Sequence, residues 1–288
     1  VKTATIKTAA YTICKNEINR IDRWFEYAKI FDYRVILDTG SDDGTWEKLQ
    51  NYRDTIPNTI IEQKRIEPFK FHEHRNYNLN MIPEDVDWCL SPDMDEWFSI
   101  NVLEEIELTC KKYPNVTNIA TTRLDIYSKT VFVGPDKFIP SNKIHRRIGY
   151  EWRQPIYEHL WYIGEGQEVE IYNDEIFLIH DQETNKPRSK LYSNLMKERF
   201  EEDKSDNWNN WYLMYYYRKK EDLENYLTVC YFYLKNIVIM EDKEKLILDH
   251  MKHLIKNNLL PENFALKPSL INTVHNISSI IQRNQTNL

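Results

Sequence analysis

Three carboxylates, Asp93, Asp95 and Glu96, fall within four residues, after the apolar run Trp88-Cys89-Leu90 and Ser91-Pro92. Like charges this close repel one another unless something positive holds them, and a hard divalent cation is the usual counter-ion. Such an ion could in turn hold the oxygens of a diphosphate. An Asp-x-Asp alone is a weak signal, because solvated loops and helix caps also collect carboxylates. Its position at the end of a short apolar strand makes it a candidate site.

Three other constellations could carry chemistry. The loop Asp38-Thr39-Gly40-Ser41-Asp42-Asp43-Gly44-Thr45 has two glycines for sharp turns and several carboxylates. It has neither the Walker nor the dinucleotide-binding glycine spacing. Asp38 could accept hydrogen bonds from a base N–H or a ribose hydroxyl; the plain alternative is an Asx-turn and cap. In His74-Arg75-Asn76 the guanidinium could clamp a phosphate bidentately, or the triplet could simply open a surface helix. Glu158 lies among Ile156, Tyr157 and Leu160, and a carboxylate in an apolar setting is suited to general-base work. His159 follows it, and His180-Asp181 ends a later apolar run, where His180 could ligate a metal. Each of these also admits a purely structural role.

The elements that must position these groups follow from hydrophobic spacing. Strands are predicted over 8–14, 34–37 and 59–63, with helices over 20–28 and 45–52 between them. This strand–helix alternation predicts a mostly parallel sheet covered by helices, in which function gathers at the carboxyl ends of the strands. Lys15-Asn16-Glu17, the Asp38 loop and the Asp93 cluster all follow predicted strands, so they should converge. Helices are expected over 74–81 and 102–112. Strands of a more antiparallel region are expected over 119–126, 131–133, 143–148, onward to Ile163, and over 168–171 and 176–180. Beyond a polar stretch containing Pro187 the pattern turns helical, over 190–201, 207–219, 223–240 and 243–257, with 257–288 reading as a polar tail. Two domains follow, 1–185 and 186–288. The helical lengths suggest a repeat array, although the tetratricopeptide consensus does not fit, and these helices could also build a homodimer.

Bulk properties narrow the function classes. Of 288 residues 41% are hydrophobic, enough for a sizeable core, and the net charge of −7 argues against a nucleic-acid binder. The four cysteines, Cys14, Cys89, Cys110 and Cys230, are scattered with no CxxC pair. That predicts free thiols in a reducing compartment, and with no secretory leader pattern the expectation is a cytoplasmic protein. The longest apolar run, Tyr226 to Met240, is broken by Lys235 and Asn236 and is too short to span a membrane.

Taken in order, these motifs resemble a family-2 glycosyltransferase of the GT-A fold. Thr12-Ile13-Cys14-Lys15-Asn16-Glu17 resembles the opening motif, and Ile36-Leu37-Asp38 through Thr45 resembles the second. Arg75-Asn76 matches the pair that starts the following helix, and Trp88 to Glu96 resembles the strand ending in the DxD motif. Arg147 and then Ile156-Tyr157-Glu158-His159-Leu160 resemble the late region, with Tyr157 standing where the family usually has histidine. Ser91-Pro92 before Asp93 is a second departure. The match covers roughly residues 8 to 181.

The resemblance implies an α/β GT-A domain followed by an all-helical region, and an inverting transfer from a nucleoside-diphosphate sugar, with uracil the usual base, to a glycan, lipid or protein acceptor. It implies a donor site lined by Thr12, Cys14, Asn16, Glu17, Asp38, Arg75, Asp93, Met94 and Arg147. Asp95 would bind Mn²⁺ or Mg²⁺, with His180 as a further ligand, and Arg75 or Arg147 would help stabilise the departing diphosphate. Glu158 would deprotonate the acceptor hydroxyl. Glu96 is expected only to brace the loop. Two competing readings are an inactive binder of the same fold and a nucleotidyltransferase; the latter would want a glycine-rich basic loop near its start, which Thr12 to Glu17 is not.

Overall fold

The computed structural model describes residues 6–127, 130–132, 140–182, 190–236 and 242–286. The chain divides into two compact units, Val1–Pro187 and Arg188–Leu288.

The first unit begins with β1 (Thr8–Cys14), α1 (Ile21–Ala28), β2 (Tyr33–Asp38), α2 (Thr45–Thr55), β3 (Thr59–Gln63), α3 (Phe71–Asn80) and β4 (Trp88–Leu90). Strands β3-β2-β1-β4 lie side by side, all parallel. Side-chain alternation explains why they are covered on both faces. Ala10, Cys14, Ile36, Trp88 and Leu90 point to one face, where α1 contributes Ile21, Trp24 and Phe25 and α2 contributes Leu49. Ala9, Tyr11, Val35 and Cys89 point to the other, where Leu79 of α3 and Ile82 cover them. Each fully buried aliphatic side chain here contributes about 1.5–3 kcal/mol.

The rest of the sheet is mixed. It adds β5 (Glu96–Phe98), β6 (Asn118–Tyr127), β7 (Thr130–Phe132), β8 (Pro140–Arg146) and β11 (Glu170–Gln182), with α4 (Val102–Lys112) between β5 and β6. Beyond β4 the order is β8-β6-β11-β5, with β7 on β6; β8, β5 and β7 pair antiparallel and β11 pairs parallel to β6. The two apolar runs expected around 168–171 and 176–180 are one strand, β11, with a register shift between Asn173 and Phe177. β9 (Tyr150–Arg153) and β10 (His159–Tyr162) form a separate antiparallel hairpin whose Trp152 and Leu160 pack beneath α3's face of the sheet. Val133 of the expected 131–133 strand lies outside the described residues.

The second unit holds α5 (Lys190–Glu202), α6 (Asn207–Lys219), α7 (Leu223–Lys235), α8 (Asp242–Lys256) and α9 (Lys267–Thr286). Asp206 and Asp222 cap α6 and α7 by accepting the backbone N–H three residues on. The helix expected to reach Met240 is described to Lys235, and 237–241 lie outside the described residues. The expected polar tail is corrected by α9, which buries Leu270 and Val274 at i, i+4 spacing. Its flanking Asn and Ser residues and Pro268 hide that spacing, but proline is tolerated in a first turn. All four cysteines are free, and no helix among the described residues is long and apolar enough to cross a membrane.

A buried hydrogen-bond chain ties the hairpin to the sheet. Trp152 Nε1 donates to the Tyr11 hydroxyl at 2.9 Å, which donates to His145 Nε2 at 2.8 Å, while His145 Nδ1 donates to the Arg146 carbonyl at 2.7 Å. Burial pulls the His145 imidazole down to about 4. Its folded state therefore resists a proton that the unfolded chain accepts near pH 6.5, so stability falls as pH drops from about 6.5 to 4. The expected loss across that window is at most about 3 kcal/mol from this group alone. Urea unfolding of the wild type and of His145→Gln at pH 7 and pH 4.5 checks it: the variant's stability should change less with pH, and parallel profiles would exclude His145 as the source.

Candidate active site

Cys14, Asp38 and Gln63 stand in register at the carboxyl ends of β1, β2 and β3. β4 stops earlier, with Leu90 level with Ala10, so the chain after it turns across the open end of β1. This is the crevice position at which open α/β sheets bind ligands.

The acidic segment is a β-turn. Glu96 N–H donates to the Asp93 carbonyl at 2.9 Å, and Asp93 N–H donates back to Glu96 Oε2 at 2.9 Å. Met94 is buried in the core under the turn, so its side chain anchors the loop and does not face a ligand. Glu96, expected to brace the loop, is buried and also opens strand β5.

Asp93 is held by two cations. Arg75 Nη2 donates to its Oδ1 at 2.7 Å and Lys143 Nζ to its Oδ2 at 2.9 Å. Burial opposes charge on Asp93, but Arg75 and Lys143 outweigh it and hold the carboxyl well below the usual range. Burial likewise opposes the charge on Lys143, and Asp93 and Glu96, the latter 2.5 Å away, push its amine up. Lys143 escaped the sequence reading because it sits in an ordinary-looking strand. Antiparallel pairing of β8 with β4 carries it to the crevice, where its carbonyl accepts the Ser91 N–H.

The same pairing removes Arg147. It lies four residues further along the chain, roughly 13 Å in extended backbone, beside Asp87 at the opposite end of β4. Its Nε and Nη2 donate to the Ile82 carbonyl at 3.1 and 3.0 Å. Arg147 fastens a loop and does not reach the crevice.

Arg75, on α3, bridges the acidic turn and Glu158. Its Nε donates to Glu158 Oε1 at 2.5 Å, and the guanidinium stacks on Trp152 with 4.8 Å to the ring centroid. Two of its nitrogens are thus committed to carboxylates, which corrects the expectation of a free phosphate clamp. Nη1 is buried without a hydrogen-bond partner. Glu158 does not sit in an apolar pocket as its neighbours suggested; its side chain is 11% exposed and ion-paired. It follows Tyr157, whose φ of 53° is left-handed, a costly conformation for a bulky residue. That turn is tied to α3 by Phe71 N–H donating to the Pro155 carbonyl, and Asn76 grips Trp152 through both its backbone groups.

The residues expected to bind a metal lie in the mixed half of the sheet. His180 on β11 lies between Glu96 of β5 and Asp125 of β6 in register. Its Nδ1 is 3.0 Å from Asp125 Oδ1 and 2.5 Å from Arg123 Nη2, and its Nε2 is 3.7 Å from Asp95 Oδ2. Burial pulls the imidazole down, but Asp95 outweighs it and the net shift is upward. Nδ1 thus faces both an acceptor, Asp125, and a donor-only guanidinium, Arg123, while Nε2 faces Asp95. One carboxylate and one imidazole suit Mn²⁺ or Mg²⁺, with other positions left to phosphate or water. Among the described residues no group of three or more His, Cys, Asp or Glu is placed to hold a metal ion, so Asp95 and His180 would offer two ligands.

The nucleoside-side residues are more committed than their types suggested. Thr12 and Cys14 have buried side chains; their carbonyls accept from Asn78 Nδ2 and from Thr39. Asn16 exchanges hydrogen bonds with Asp42 and so laces two loops together. Glu17 pairs with Arg20. Asp38 Oδ1 accepts Gly40 and Ser41 N–H at 2.8 Å, an Asx-turn, while Oδ2 has only a 3.4 Å contact with Gln63. Asp38 is fully buried, and Oδ2 is its less committed oxygen.

No protein-family model and no curated protein sequence matches the chain. Among solved structures it is similar to residues 1–349 of S. aureus TarS in complex with UDP-GlcNAc, with a TM-score of 0.53 at 10% identity, covering 88% of this chain and 88% of that chain. The same protein in complex with UDP gives 0.51 at 10% identity over 84% and 86%. The mannosyltransferase PcManGT from Pyrobaculum calidifontis, in complex with GDP-Man and Mn²⁺, gives 0.46 at 10% identity over 94% and 86%. At this identity the TarS likeness is one of fold: a GT-A-type α/β sheet followed by helices.

Removing Arg75 would leave Asp93 and Glu158 without their shared cation. Arg75→Met is expected to destabilise the protein by about 3 kcal/mol, the low end for a broken buried pair because Asp93 is 34% exposed. Adding Glu158→Gln should recover part of that loss. Equal stability of wild type and Arg75→Met in urea unfolding would show that the bridge is absent in solution.

Proposed function

We propose that this protein is a glycosyltransferase that moves a sugar from a nucleoside diphosphate to an acceptor hydroxyl. The observation that carries the reading is the pairing of two unlike acidic devices in one crevice. Asp95 with His180 forms an ion-binding half-site, and Glu158 forms a candidate base on the far side of Arg75 and Asp93. A fold shared with a protein that binds UDP-GlcNAc supports it, and favours a UDP-sugar donor.

In this reading Asp38 Oδ2 accepts from the nucleoside, and Arg75 Nη1, buried without a partner, donates to a donor oxygen. Asp95 and His180 would hold Mn²⁺ or Mg²⁺, which when bound would supply positive charge to the departing diphosphate. Glu158 Oε2 carries no hydrogen bond among the described residues and accepts the acceptor's proton. The acceptor oxygen then bonds to the anomeric carbon as the bond to the diphosphate breaks. A single base opposite the leaving group gives inversion.

A second reading, a nucleotide-sugar binder without transfer, is favoured by one observation: Glu158 Oε1 is already occupied by Arg75 Nε in a buried ion pair. One set of variants separates the two. Melting shifts with a panel of nucleotide sugars, with and without Mn²⁺, should show ion-dependent stabilisation that is kept in Glu158→Gln and lost in Asp95→Asn. Release of nucleoside diphosphate should fall by about 100-fold or more in Glu158→Gln. Donor binding with unchanged release in that variant would remove Glu158 as the base, and no response to any donor would sink the transferase reading.

A further inference from the structure

The second unit contains a groove of about 370 Å³, within the range of small-molecule sites. One wall is a stripe of α6 at i, i+3, i+4 and i+7 spacing: Trp211, Met214, Tyr215 and Arg218. The facing wall is Leu246 and His250 of α8, and Tyr226 of α7 forms the floor. Large apolar side chains stay open along it, with Trp211 37%, Tyr215 48% and Leu246 68% exposed.

Its charge is as informative as its walls. Among the described residues no Asp or Glu lines the groove, although the chain carries a net charge of −7. Arg218 stands in the last turn of α6, at one end of the stripe, and no carboxylate pairs with it among the described residues. His250 cannot balance that charge; burial and Arg218 itself push its imidazole down toward the neutral form. From Trp211 to Arg218 is seven residues, about 10 Å of helix. Among the described lining residues the groove is thus apolar along its length with the Arg218 cation at its end, and Lys219 Nζ lies 4.8 Å over the Tyr215 ring.

We propose that this groove binds a single amphipathic anion, a medium-chain hydrocarbon ending in a carboxylate or phosphate, with the tail between α6 and α8 and the head on Arg218. The apolar walls remove the tail from water, and Arg218 gives the head a charge-assisted hydrogen bond. A second copy of the chain fits less well, because a stable dimer wants roughly 20–30 residues a side and the open apolar rim is three side chains. The site lies wholly within the helical unit and stands apart from the sugar-transfer reading.

Calorimetric titration of the full chain with decyl phosphate, decanoate and decanol, all below their micelle concentrations, tests it. Either anion should bind once per chain, and their order tells a phosphate from a carboxylate ligand. Arg218→Gln should weaken both anions by at least about tenfold, the worth of one charge-assisted hydrogen bond, and leave decanol unchanged. Met214→Trp should fill the groove and abolish binding. Leu246→Asp, at an exposed rim position where folding is insensitive, should repel the anions if the buried variant fails to fold. Decanol binding as tightly as decanoate, or Arg218→Gln binding unchanged, would overturn the anion assignment. Binding retained in Leu246→Asp, or a concentration-dependent dimer that Leu246→Asp dissolves, would overturn the small-molecule site.

Discussion

A buried guanidinium with two carboxylates on it organises the crevice. Arg75 joins a helix, a β-turn and a hairpin turn that are distant in sequence, by donating to Asp93 and to Glu158. Lys143 extends the network to Glu96. Three anions are thus matched by two cations in a region largely withdrawn from solvent, where an unpaired charge costs several kcal/mol. That balance lets a crowded acidic turn fold before any ligand arrives, and it explains why the turn needs no cation of its own at Asp93.

The guanidinium is itself held from behind. Trp152 lies under it, Asn76 fixes Trp152 through its backbone, and the indole N–H runs into the buried Tyr11–His145 chain. These groups restrict Arg75 to the one rotamer that serves both carboxylates. The arrangement has the logic of a preorganised site: the groups nearest the crevice are fixed by a layer that never meets a ligand. The left-handed backbone at Tyr157 belongs to the same scheme, because only that bend turns Glu158 back toward α3.

Much of this was legible in the sequence where local pattern dictates structure. Short β-rich runs in 8–14 and 34–37 predicted β1 and β2 closely, and the helix expected over 102–112 is α4. The convergence of the Asp38 loop and the Asp93 turn followed from strand ends. What stayed hidden depends on long-range register. Lys143 and Arg147 look alike in sequence, and only the pairing of β8 with β4 decides that one faces the crevice and the other the far edge. Asp125 gained meaning only when β6 met β11 beside His180. The setting of Glu158 was misread for the same reason: its sequence neighbours are apolar, but its spatial neighbour is Arg75.

The two aspartates of the acidic turn, only two residues apart, are therefore not equivalent. Asp93 has both oxygens donated to by fixed cations, so a metal ion there would have to displace Arg75 or Lys143 and leave a buried positive charge behind. Asp95 lies beside His180, at 3.7 Å, across a gap too long for a hydrogen bond. That gap is where a further positive group costs least, since it replaces no existing partner. Burial and His180 act on Asp95 in opposite senses, and the net effect keeps it ionised. One short segment thus places two carboxylates in unlike surroundings: Asp93 between two fixed cations and Asp95 beside a histidine.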